Sequence, residues 1–300
     1  MRIFVTGASG FIGGSVAASL AAAGHEVHGL VRDPAKAATV AAHGIRPVMG
    51  TLDDAALLRA EAAAADGVIN AANSDHRAAV EALLAGLAGS GKPLLHSSGT
   101  SVVADLAMGE PSDRIYDEAL PFEPLPDKAD RVAIDRLVLA APGVRSVVLC
   151  NSMIYGHALG PPAESVQIPA LLRQARATGV ARHVGRGLNR WSNVHIADVA
   201  NLYGLALDRA RPGTFLFVES GEESYGEIVR ALALRLGLAG PEGMSAADAI
   251  AFWSRGHAVY SLGSNSRVRG RLATERLGWQ PRQRSVTEWI ARELSLARDG

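Results

Sequence analysis

The sequence predicts an α/β fold: a doubly wound parallel sheet with a smaller C-terminal lobe. Three observations carry this. Short apolar runs alternate with helical stretches from residue 2 to residue 150, a glycine-rich turn links the first run to the first helix, and a loop-rich stretch interrupts the pattern after residue 155. A chain of 300 residues has interior enough for one large domain or two modest ones.

Candidate strands are 2–6, 26–31, 46–49, 67–70, 93–97 and 144–149. Their nearly unbroken apolar character suits strands covered by helices on both faces. Between the first two, Ile12, Val16 and Leu20 recur at helical spacing, and Gly24 stands where a helix would end. Further helices are expected around 54–64, 77–88 and 128–141, the last closed by Pro142-Gly143. From 155 to 190, Gly156, Gly160, Pro161, Pro162, Gly179, Gly185 and Gly187 mark a stretch of loops. A helix near 196–209, a strand at 215–218, a helix near 225–236 and helical pieces over 267–296 complete the pattern.

Lysine plus arginine number 30 and aspartate plus glutamate 30, so no net field is available to hold nucleic acid or an anionic bilayer. The lone Cys150 excludes an intrachain disulfide and a cysteine zinc cage, and suits a reducing cytoplasm. No apolar run reaches bilayer-spanning length and the opening residues are too few for a signal-peptide core, so a soluble cytoplasmic protein is expected. The nine histidines contain no HxxxH pair, and no metal is expected.

The strongest motif is Thr6-Gly7-Ala8-Ser9-Gly10-Phe11-Ile12-Gly13, directly after a strand and opening a helix. Gly7 can take backbone angles closed to other residues, Gly10 lets the main chain approach a pyrophosphate, and Gly13 allows close packing of helix on strand. With Ser9, Phe11 and Ile12 they form a candidate dinucleotide cradle at a helix N-terminus. A plain tight connection is the competing reading.

This TGxxGxxG spacing is similar to that of the short-chain dehydrogenase/reductase superfamily, extended or atypical branch. The likeness continues through Gly50-Thr51-Leu52-Asp53, Asn70-Ala71-Ala72, His96-Ser97-Ser98-Gly99-Thr100, Ile154-Tyr155-Gly156, the run from Asn189 to His195, and Leu277-Gly278-Trp279-Gln280-Pro281. The chain resembles the group usually labelled NAD-dependent epimerase/dehydratase. The resemblance implies a Rossmann core over 1–155, completed by about 191–218, and a substrate lobe from 156–190 and 219–300. It also implies cofactor contacts from Thr51, Leu52, Ala71, Ala72, Asn73 and Ser97, and from the main chain around Cys150, Asn151 and Met153, which replace a usual Arg-Pro-x-Asn run. Thr51 stands where relatives place an adenine-binding aspartate. A homodimer paired through the helices after the fourth and fifth strands is a family expectation.

After the second strand, Arg32 and Lys36 suit a 2′-phosphate and favour NADP. The alternative is NAD, with Asp33 on the ribose and Arg32 a solvated strand end.

The resemblance implies proton transfer by a tyrosine whose pKa a nearby lysine lowers, with a hydroxyl orienting the substrate oxygen. No tyrosine here is followed four positions later by lysine. Asp127 stands in the tyrosine's place and Arg131 in the lysine's. Asp127 is a poor proton donor unless burial raises its pKa, and Arg131 works against that. Three alternatives stay open: Tyr116 or Tyr155 enters the site from elsewhere, Lys128 supplies the proton, or the pocket is kept for another task. Ser98 and Thr100 flank the usual orienting hydroxyl, whose own place falls on Gly99. Arg190 and Trp191 are candidates to pair with and stack on a substrate; His195 and Asp198 read as structural.

The expectation is an atypical NADP-dependent oxidoreductase acting on a small organic carbonyl, hydroxyl or imine. A nucleotide-sugar epimerase or dehydratase, and a non-catalytic NADP-binding sensor, are the alternatives.

Overall fold

The computed structural model describes residues 1–119 and 122–295. The end of the expected C-terminal lobe, including the last position of the 267–296 tail, lies outside the described residues. Among the described residues the central sheet has seven parallel strands: β1 (Arg2–Thr6), β2 (Glu26–Val31), β3 (Ile45–Met49), β4 (Gly67–Asn70), β5 (Pro93–Gly99), β6 (Arg145–Asn151) and β7 (Thr214–Val218). Their spatial order is β3-β2-β1-β4-β5-β6-β7. This is the predicted doubly wound Rossmann sheet.

Helices α1 (Phe11–Ala22), α2 (Pro34–Ala41), α3 (Ala55–Ala64), α4 (Arg77–Leu87) and α5 (Ala129–Leu139) make the crossovers. Later come α6 (Gln167–Thr178), α7 (Ile196–Arg209), α8 (Tyr225–Leu236) and α9 (Ala246–His257). Alternation along each strand feeds two layers. Ile3 and Val5 pack in one cluster with Val16 and Leu20 of α1 and Leu202 of α7. Phe4 points the other way, into a cluster with Leu58 of α3 and Leu83 of α4.

Two elements depart from the expected pattern. Helix α2 is an addition: Asp33 Oδ1 accepts the Ala35 N–H at 3.0 Å, and Pro34 opens the helix, where a missing N–H is harmless. Residues 155–190, expected as loops, contain α6 and the strand Val180–Val184. Pro169 in the first turn of α6, and buried Gln174 on its inner face, mask the apolar period there.

A second core forms around Tyr155, Trp191, Tyr225, Trp253 and Trp289. It is organised on a three-stranded sheet of Met153–Tyr155, Arg190–His195 and Gly221–Ser224. The chain reverses direction across the sheet between β1 and β4, and ligands of such sheets bind beyond the strand ends at that point. Among the described residues no helix is long and apolar enough to cross a membrane.

Candidate active site

The turn after β1 is built around glycine. Gly7 has φ of 72°, and a Cβ placed there would lie 2.6 Å from the Ala71 carbonyl oxygen. A Cβ on Gly13 would lie 2.3 Å from the Gly7 oxygen, so α1 seats directly on the turn. Gly10 differs. Its backbone is extended, and an added Cβ would meet only the Gly7 oxygen, at 3.2 Å. The fold itself asks little of Gly10, whereas a group approaching the main chain asks for its bareness. No side chain caps α1 and its first turn holds no acid, so its leading N–H groups are left for an anion. This cradle fits the pyrophosphate of a dinucleotide.

A cleft of about 620 Å³ opens from this turn. Phe11 and Ile12 form one wall with Ala71, Ala72 and Ser74 beyond β4. The floor carries Ser97, Ser98, Gly99, Thr100 and Ser101 from the end of β5, with Asn151 and Ser152 from β6. Lys128 and Arg131 line it from the start of α5, Trp191 from the second core, and His257, Tyr260 and Ser261 from the segment after α9.

A buried polar chain runs beneath the floor. Thr6 Oγ1 donates to Asn70 Oδ1 at 2.5 Å, and Asn70 Nδ2 donates to His96 Nδ1 at 3.0 Å. That leaves the His96 proton on Nε2, 3.5 Å from Asp135 Oδ1. Asp135 Oδ2 accepts from the Ser98 hydroxyl at 2.7 Å. Burial pushes the Asp135 carboxyl up to about 6 and the His96 imidazole down to about 4. Ser97 pairs with the Tyr203 hydroxyl at 2.7 Å, and Asn151 Nδ2 donates to the same oxygen at 3.0 Å. Thr100 Oγ1 is buried without a hydrogen-bond partner.

Arg131 is held by Asp75 through paired bonds of 2.7 and 2.5 Å and reaches Ser101 Oγ at 3.3 Å. Hydrogen bonding from Arg131 holds the Asp75 carboxyl below the usual carboxylate range. Burial, then the Arg131 charge, lowers the Lys128 ammonium. Lys128 Nζ lies 5.8 Å from the centre of the Tyr260 ring. The exposed Asp127 carboxylate raises the Tyr260 phenol above the ordinary tyrosine range.

Several sequence-predicted residues stand outside the cleft. Tyr155 is fully buried in the second core, edge-on to His195 at 5.2 Å, and its hydroxyl has no hydrogen-bond partner. Tyr116 sits in a two-residue strand beside Val268–Arg269, with Phe122 edge-on and Arg114 over its ring. Arg190 is clamped by Glu222 at 2.9 Å and faces Glu227 at 3.4 Å, so its charge is spent within the fold. Cys150 is wholly buried, its thiol pushed well up by desolvation, and Met153 packs in the second core.

Around the rest of the expected cofactor path, Arg32 and Lys36 are exposed beyond β2. The Thr51 N–H donates to Asp54 Oδ2 at 2.6 Å, with Leu52 half-buried beside it. Asn73 Oδ1 accepts the Asp75 N–H at 3.0 Å. Half-buried Ser9 completes the glycine turn. Sequence reasoning misses Ser101, His257 and Tyr260. His257 and Tyr260 come from a region with no motif and reach the cleft only through tertiary packing.

A model described as the NAD dependent epimerase/dehydratase family matches residues 3–216. A protein of Acremonium sp named oxidase ucsJ is 34% identical, over 93% of this chain and 92% of its own length. The 4-hydroxy-2-methyl-3-oxo-4-farnesyl-3,4-dihydroquinoline-1-oxide ketoreductase of Stigmatella aurantiaca is 31% identical, over 74% of this chain and 69% of its own. In fold the chain superposes on the dTDP-glucose 4,6-dehydratase DesIV of Streptomyces venezuelae, solved with NAD bound. The TM-score is 0.76 at 23% identity, over 97% of this chain and 95% of that one.

Proposed function

The chain belongs to the NAD dependent epimerase/dehydratase family, and from that premise we propose that it is an NADP-dependent oxidoreductase reducing a small organic carbonyl or imine, or oxidising the matching alcohol or amine. The observation that carries this reading is the single cleft joining the wall of the glycine turn to the hydroxyl-rich end of β5 and to Lys128. The bound nicotinamide would supply hydride chemistry there. The chain's own residues do the rest. The α1 N-terminus and glycine turn bind the pyrophosphate. Thr100, whose hydroxyl has no partner, and Ser101, whose hydroxyl accepts from Arg131, present hydroxyls to a substrate oxygen, while Ser98 is held by Asp135. Phe11, Ile12, Ile154 and Trp191 exclude water.

NADP is favoured over NAD because Asp33 already spends Oδ1 on capping α2, while Arg32 and Lys36 stand exposed at the same strand end. The names of the relatives, an oxidase and a ketoreductase of a farnesylated quinoline N-oxide, support redox chemistry on an organic substrate. A nucleotide sugar fits less well. Lys128 and Arg131 are the cleft's lysine and arginine side chains among the described residues, and Arg131 is already engaged by Asp75, so little charge remains for a second diphosphate. The test is NADPH consumption against a panel of ketones, aldehydes and imines. Turnover supports the reading. Tight cofactor binding with no turnover across the panel moves the assignment to a cofactor-binding sensor.

A further inference from the structure

We propose that Tyr260 is the proton-transfer residue of this cleft, delivered from the segment after α9 to the side of Lys128 at the head of α5; the inference rests on the oxidoreductase reading. The chain has five tyrosines. Among the described residues Tyr260 is the tyrosine that lines the cleft. Tyr155 and Tyr225 are buried in the second core, Tyr116 lies outside, and Tyr203 is sealed beneath Ser97 and Asn151.

Its setting is built from both sides. Residues Ala258–Leu262 form a wide-turn helical segment, a geometry frequent at functional sites. Ala258, Val259 and Leu262 are buried and anchor the segment, which leaves half-buried Tyr260 turned into the cleft. Facing it, the turn Pro126–Lys128 sets the Lys128 ammonium 5.8 Å from the centre of its ring, and the Asp127 charge of the same turn raises the phenol. Arg255, one turn earlier on α9, is the remaining charged group that acts on the phenol. The turn that carries an aspartate in place of the expected tyrosine thus faces a tyrosine from another part of the chain.

In the reducing direction a reduced nicotinamide held in this cleft would supply the hydride and its electron pair to the substrate carbon and would itself be oxidised. The C=O π bond breaks, and the oxygen takes the proton of the Tyr260 hydroxyl. Water then returns a proton to the phenolate past Lys128. Because Asp127 raises the phenol, Tyr260 keeps its proton into the alkaline range and enters the reducing direction already protonated.

The test compares wild type with Tyr260→Phe. The expected results are a loss of about a hundredfold or more in kcat/KM for reduction, an unchanged Kd for NADPH, and loss of the alkaline limb of the pH profile. Independently of turnover, the phenolate absorbance of wild type minus Tyr260→Phe reports the ionisation of Tyr260. Asp127→Asn is expected to move that ionisation to lower pH, and Lys128→Ala to higher pH. Wild-type turnover that survives in Tyr260→Phe overturns the proposal and leaves the oxidoreductase reading standing. Wild type that binds NADPH without turnover overturns both. A Tyr260 ionisation indifferent to Asp127→Asn overturns the arrangement itself.

Discussion

The Ser98 hydroxyl donates to Asp135 Oδ2 across 2.7 Å, tying the cleft floor to a carboxyl that burial has raised to about 6. A raised carboxyl binds its proton more tightly in the folded chain. Its contribution to stability is therefore complete at low pH and lost as pH rises through about 6. His96 works in the opposite sense: lowered from 6.5 to about 4, its contribution is present above the unfolded value and lost as pH falls toward the folded one. Asp135→Asn removes only the first effect. The stability of the variant relative to wild type should improve from about pH 5 to about pH 8 in denaturant titrations. A difference that does not change with pH contradicts the raised carboxyl.

The glycines of the turn separate folding from binding. Gly13→Ala places a methyl 2.3 Å from the Gly7 oxygen and should cost about 1–3 kcal/mol, the range for overpacking. Gly10→Ala meets its nearest atom at 3.2 Å and should unfold at nearly the wild-type temperature while losing dinucleotide affinity. Thermal melts and nucleotide titrations of both variants distinguish the two. Intact binding in Gly10→Ala would remove the pyrophosphate from this turn.

Glu222 gathers Arg190 at 2.9 Å, Arg267 at 3.0 Å and Arg269 at 3.1 Å. Loss of its charge in Glu222→Gln should lower stability by about 2 kcal/mol, as for hydrogen bonds to charged groups. Arg190→Ala should lower the melting temperature and leave substrate KM unchanged. A large rise in KM with an unchanged melt would return Arg190 to the substrate site.

Tyr155→Phe removes a buried hydroxyl that has no hydrogen-bond partner. It should be neutral or stabilising in a melt, because an unpaired buried polar group is itself a cost, and turnover should not fall. A rate loss of about tenfold would instead mark a catalytic acid.

The sheet was legible because each parallel strand, buried on both faces, writes a short apolar run, and because Gly7 and Gly13 answer to backbone contacts that any sequence of this fold must satisfy. Helix α6 was not legible, since Pro169 and Gln174 break its period. The second lobe's share of the cleft was less legible still. Arg190 has the chemistry of a substrate ligand, and only the position of Glu222 shows that it is spent. Tyr260 lies 133 positions beyond Asp127 in the sequence, and no spacing rule joins them. The absence of the usual tyrosine was readable; the proposed replacement required the approach of the segment after α9 to Lys128 at the head of α5.

The central claim is that the turn after β1 holds a pyridine dinucleotide, and calorimetric titration of the purified chain with NADPH and with NADH tests it most directly. The account predicts saturable binding of both, tighter for NADPH, with the difference erased in Arg32→Ala. Absence of binding by either nucleotide would contradict it.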